Sequence, residues 1–240
     1  MTPKKFWLAP LFAVLLMAAS TASAQFENPD VQSPEEIAHA HQIIEHDFAN
    51  AIEPEMLSAA TQDGILQGYT NLDPNHLVPT DLLKAAVVYF DANKKSFPNQ
   101  DYLTVVDFNP RSDHYRFYLV NLKDGSVERF HTTHGIHSDE NGYAKYFSNI
   151  INSGQSSLGY VRTAEVYNGK FKRSLRLDGL SSTNSNIRDR AVVFHGWNKV
   201  KEANVIQGLS WGCITLDYSV KDGVLDKIKN GSLMYVGVAQ

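Results

Sequence analysis

"YRFYLVNLKDGSVERFHTTHG", residues 115–135, decides the class of fold. Residues 115–122 are dominated by aromatic and branched apolar side chains, which favour extended backbone. Asp124-Gly125 follows, a two-residue hairpin signal, because glycine takes the positive φ that tight turns demand. Two antiparallel strands are therefore predicted. Immediately upstream, "YLTVVDF" (102–108) reads as another strand, set off by a polar turn at 109–113. Downstream, residues 158–167, 173–177, 191–195 and 232–238 repeat the pattern of short strands between turns. Together they predict an all-β or β-rich sandwich.

Helices precede it. "SPEEIAHAHQIIEHDFANAI" (33–52) has Ser33 to cap it, Pro34 in the first turn, Glu36 at capping-box spacing, and apolar residues at roughly helical period. "TDLLKAAVVYFDANKK" (80–95) is a second helix, capped by Thr80 or Asp81. Residues 61–79, with Gly64, Gly68, Pro74 and Pro79, read mostly as loop. No linker separates helices from strands, so the helices are expected to pack on the sheet.

Lys4 and Lys5, an apolar run from Phe6 to about Ala19, and Ala22 and Ala24 before Gln25 have the form of a secretory leader cut after residue 24. The run is shorter than the roughly 20 residues a membrane span requires. No transmembrane segment is expected after cleavage, and the destination is the periplasm or cell envelope. The net charge of −4 becomes −6 without the two lysines. That excludes the strong basic footprint of a nucleic-acid binder.

Cys213 is the only cysteine. Exported proteins use cysteines in pairs, so a lone thiol is either a small buried hydrophobe or a reagent. "RAVVFHGW" (190–197) is an apolar strand ending in His195, with Gly196 permitting a sharp exit. Cys213 follows within "GLSWGCITL" (208–216). A nucleophilic cysteine needs a base or cation beside it, and His195 is a candidate. Gly212 leaves room for backbone N–H groups to face an oxyanion.

His131, His134 and His137 raise the question of a metal. On a strand, positions three apart face opposite sides, which argues against one. "GKFKRSLR" (169–176) offers Lys172, Arg173 and Arg176 as carboxylate binders or as ordinary charged hairpin faces. Trp197 and Tyr160 read as cleft or core aromatics.

His195-Gly196 followed by Ser210-Trp211-Gly212-Cys213 resembles the signature of YkuD-type L,D-transpeptidases. "YFSNIINSGQSSLGYVRTAEVYNGKFKRSLRLDGL" (146–180) extends the likeness to the murein YkuD_2 subgroup through Phe-Ser-Asn, Ser-Ser-Leu-Gly, Tyr-Asn-Gly-Lys and Ser-Leu-Arg-Leu-Asp-Gly-Leu, in that order. The resemblance covers residues 82–238. It implies a β-rich catalytic domain over 81–240, behind an extension over 25–80, that acts on peptidoglycan stem peptides. Cys213 would be the nucleophile and His195 its base. The N–H groups of Trp211, Gly212 and Cys213 would be oxyanion donors, with Ser210 shaping the loop. Gly196, Arg176 and His134 are candidate substrate contacts. The resemblance implies no cofactor and no metal. The acceptor is an amine: a second stem peptide, a D-amino acid or a protein lysine. Thr215 stands where many relatives carry arginine, Ile214 where the subgroup has proline, Leu209 where it tends to have arginine, and Ser181 where glutamate is usual. These departures keep two other readings open: a murein hydrolase using the same Cys-His site, or a non-catalytic wall-binding protein.

Overall fold

The computed structural model describes residues 31–240. The expected leader, residues 1–24, and its cleavage point lie outside the described residues. Helix α1 runs Pro34–Asp47, opened by the predicted box: Ser33 Oγ accepts from the Glu36 N–H, and the Glu36 carboxylate accepts from the Ser33 N–H. It is shorter than the sequence pattern suggests. The chain leaves the helix at Phe48, whose ring packs edge-on against Phe97. Helix α2, Ala59–Gln67, lies partly in the stretch expected to be loop. Ser58 Oγ caps it by accepting from the Thr61 N–H, and Ile65 and Leu66 pack on the core. Helix α3, Thr80–Ala92, starts one residue earlier than a Thr80 cap would place it; Pro79 holds the cap position and makes no side-chain bond there.

The strands follow: β1 Tyr102–Asp107, β2 Phe117–Asn121, β3 Val127–Phe130, β4 His134–Gly135, β5 Asp139–Glu140, β6 Tyr143–Ala144, β7 Gly159–Gly169, β8 Lys172–Gly179, β9 Val193–Gly196, β10 Leu209–Ser210 and β11 Ile214–Leu216. Helix α4, Tyr218–Ile228, comes next, capped by Asp217, and β12, Leu233–Gly237, follows it. Helix α4 has no counterpart among the elements expected from the sequence, although Val220, Val224, Leu225 and Ile228 have helical spacing. The β2–β3 turn is longer than the two residues predicted. Asn121 donates to the Ser126 carbonyl, so residues 122–125 close it. Gly125, at φ +77°, presses against the Asn71 carbonyl, where a Cβ would come within 2.0 Å. Docking onto the N-terminal segment sets the loop length.

Eight strands form one sheet in the order β11-β9-β8-β7-β12-β1-β2-β3. β12 is parallel to β1 and β11 is parallel to β9; the other pairings are antiparallel. Both faces of the central strands are buried. Val106, Phe117, Leu119, Met234 and Val236 face one core with Val224, Leu225 and Ile228 of α4. Leu103, Val105, Tyr118, Val120 and Leu233 face the other with Ala86, Val87 and Phe90 of α3. The expected β-rich fold with helices packed on the sheet is what forms. Tyr160 belongs to this second core: its ring stacks at 3.8 Å on Tyr89 of α3 and at 4.6 Å on Tyr235 of β12. Each such pair contributes on the order of 1 kcal/mol beyond the area it buries.

Candidate active site

His195 and Cys213 approach each other through strand pairing. β9 and β11 are parallel, with Thr215 opposite His195. Phe194, Ile214 and Leu216 enter the first core. Alternation therefore puts His195 and Thr215 on the opposite face, and carries Cys213, one residue before β11, onto that same face. His195 is 2% exposed. Its Nδ1 lies 2.9 Å from the Gly196 carbonyl. A carbonyl only accepts, so Nδ1 carries the proton and Nε2 is the basic nitrogen. The Phe171 ring, at the β7–β8 turn, stacks on the imidazole at 3.9 Å.

The cysteine turn is built by Ser210. Its Oγ donates to the Cys213 carbonyl (2.8 Å) and accepts from the Gly212 N–H (3.1 Å). Thr133 Oγ1 also reaches the Cys213 carbonyl, at 3.3 Å. Gly212 holds φ +108°, and a Cβ there would lie 2.7 Å from the Gln155 carbonyl. Only glycine accommodates both the dihedral and the approach. Cys213 is partly exposed, with Sγ 3.8 Å from the Ala191 carbonyl. Trp211 projects outward, 68% exposed, with His137 edge-on to its ring.

Several expected site residues take other positions. The Gly212 N–H is committed to Ser210, so it does not face an oxyanion in this state. Gly196 lies under Tyr218, whose Cδ1 would come within 2.5 Å of a Cβ. It supplies the carbonyl that orients His195 and a surface for α4. His134 is closed off from solvent, so its ring is not a substrate contact. Its Nδ1 accepts from Arg116 Nη1 at 2.9 Å, and its Nε2 donates to Asp139 at 2.9 Å. Burial, then the Arg116 charge, lowers its pKa to about 4. What His134 offers the site is its backbone, paired with Leu209 of β10. Arg176 is 5% exposed, its guanidinium lying 3.8 Å above the Tyr167 ring. Arg173 pairs with Asp226 of α4, and the Lys172 ammonium lies over Tyr218. The other two histidines also have separate partners: His131 with Glu202 and His137 with the Ser153 carbonyl.

Residues 75–236 match the family model of the L,D-transpeptidase catalytic domain, YkuD_2. The chain belongs to this family. Solved structures similar to this L,D-transpeptidase catalytic domain include an L,D-transpeptidase from Mycobacterium smegmatis, at 14% identity and TM-score 0.37. That match covers 57% of this chain and 58% of the other. A second is the L,D-transpeptidase, residues 123–326, from Xylanimonas cellulosilytica, at 15% identity and TM-score 0.36, covering 85% and 93%. A third is an L,D-transpeptidase from Stackebrandtia nassauensis, at 11% identity and TM-score 0.35, covering 84% and 90%. No curated protein matches the chain significantly.

Proposed function

We propose that the chain is an exported cysteine L,D-transpeptidase, acting on peptidoglycan stem peptides in the periplasm or cell envelope. The observation that supports this best is the parallel pairing of the His195 strand with the Cys213 strand, with Nδ1 of His195 tied to the Gly196 carbonyl. That tie makes Nε2 the base. In this reading Nε2 takes the thiol proton, and Sγ attacks the carbonyl of the third-position diamino acid. The oxyanion falls to the N–H groups of Trp211 and Cys213. Collapse breaks the amide bond, the terminal D-alanine amine leaves with the proton from His195, and a thioester remains. An acceptor amine, from a stem peptide, a D-amino acid or a protein lysine, gives its proton to His195 and attacks. The new amide forms, and the thiolate recovers the proton.

The test is intact mass of the protein incubated with disaccharide-tetrapeptide, with muropeptide analysis of the same tube. A Cys213 thioester with crosslinked or exchanged products is expected, and Cys213→Ala should abolish both. An adduct that yields only tripeptide would replace transfer with hydrolysis. Unchanged turnover in Cys213→Ala would overturn the reading.

A further inference from the structure

Arg190 stands beside the cysteine turn without having been singled out by any motif. It closes the 181–191 segment, where its N–H donates to the Asn186 carbonyl at 2.9 Å. Ala191 follows at φ +50°, a left-handed conformation that costs an alanine about 1 kcal/mol. That bend turns the chain into β9. It places the Ala191 carbonyl at Cys213 Sγ and the guanidinium beneath Gly212, with Nη2 3.3 Å from where a Gly212 Cβ would sit.

The guanidinium is half-buried. Nη1 donates to the Ser148 carbonyl (2.6 Å) and to Ser157 Oγ. Nη2 donates to Ser153 Oγ (3.1 Å) and to the Gln155 carbonyl. These bonds pin the 148–157 loop against the cysteine turn, and none of the partners is an anion. The neighbouring carboxylate, Asp189, pairs instead with His41 of α1 at 2.8 Å. A cation surrounded by neutral acceptors keeps its full charge for whatever lies beside it. Burial works against that charge, and Cys213 works for it. The interaction is mutual, so the guanidinium favours the thiolate by the same amount.

We propose that Arg190 is a positioning residue and counter-charge for Cys213, which stabilises the thiolate formed when His195 takes its proton while keeping the 148–157 loop in place. This rests on the reading of Cys213 as nucleophile. It gives the site a permanent cation from the turn before β9, where the residue two positions after the cysteine, Thr215, is neutral. The guanidinium stabilises the thiolate that forms as Nε2 of His195 takes the thiol proton, and the imidazole then holds that proton for the leaving amine. Among the described residues, the charged and titratable groups on elements around Cys213 include Arg190, Asp189 beside it, His195 of β9, the buried His134 of β4 paired with β10 and, at the rim, His137 beside Trp211.

The test is the rate of iodoacetamide alkylation of Cys213 against pH in the full chain, for wild type, R190K and R190Q, with thermal melts to establish folding. R190Q should raise the midpoint by about one pH unit, and R190K should restore most of it. A folded R190Q with the wild-type midpoint would overturn the proposal. Should R190Q not fold, R190K decides: a midpoint near wild type supports the counter-charge, and a midpoint like that of a free thiol refutes it. Ser153→Ala with Ser157→Ala loosens the loop but keeps the charge, so the midpoint should hold; a rise as large as that of R190Q would assign the effect to packing. Alkylation reports on the thiol whatever reaction it serves. A failed muropeptide assay would therefore leave this result standing, and the reverse.

Discussion

His134 is a group whose titration in the ordinary pH range the fold opposes. Its side chain has no exposed surface, and burial followed by the Arg116 charge brings its pKa from 6.5 to about 4, against the pull of Asp139. Between those two values the unfolded chain binds a proton that the folded chain refuses. Stability therefore rises with pH across this window. It is complete above about 6.5 and is lost as pH falls toward 4. A shift of this size carries on the order of 3 kcal/mol, of which about 2 kcal/mol is lost between pH 7 and pH 5. Domains of this kind hold about 5–15 kcal/mol in all, so the loss is easily measured. The assay is urea denaturation at both pH values, for wild type and His134→Gln. Glutamine can still donate toward Asp139 and accept from Arg116, but it does not titrate. Wild type should lose about 2 kcal/mol more than the variant between pH 7 and pH 5. The comparison removes the contributions of Asp107 and Glu202, which both proteins share. Equal losses would refute the reasoning, because the native imidazole would then accept its proton as readily as the unfolded one.

Gly212→Ala should reduce turnover roughly a hundredfold or more, because the added Cβ meets the Gln155 carbonyl and the turn must shift; kcat alongside a thermal melt separates this from unfolding. Arg188→Ala should cost about 3–5 kcal/mol in urea denaturation at pH 7, because it strands the buried Asp178 next to Glu165. Burial already pushes the Asp178 carboxyl up and Arg188 holds it down, so the deficit should shrink on acidification as Asp178 takes a proton. Phe171→Ala removes the ring stacked on His195 and should lower turnover on the order of tenfold with KM little changed; a rise in KM alone would make Phe171 a substrate contact instead.

Local signals carried much of this fold. The Ser33–Glu36 box needs four consecutive residues, and the structure forms both of its bonds. The strand of His195 reads from its own apolar residues. Helix α2 was obscured by Gly64, which lowers helix propensity and meets nothing within 4 Å that would show why it is there. Helix α4 carried a legible cap in Asp217 and a legible apolar stripe. The site divides in the same way. Cys213 and His195 stand out by residue type and neighbours. Arg116, Phe171 and Arg190 reach the site across 18, 24 and 35 residues of chain, to His134, His195 and Gln155. No period or spacing encodes such contacts. His134 shows the converse: the family resemblance makes it a candidate substrate contact, and the structure buries its ring between Arg116 and Asp139.

The place of β12 makes the last strand of the chain the seam of the sheet. Residues 233–237 lie between β7 and β1, so β1-β2-β3 and β7-β8-β9-β11 share no direct edge without them. A chain emerging from its N-terminus makes both halves well before it makes the strand that joins them. The pairing of β9 with β11 then belongs to a half-sheet with an unpaired flank until Gly237 has arrived. A chain that stops before residue 233 therefore lacks the one strand that joins the two halves of its main sheet.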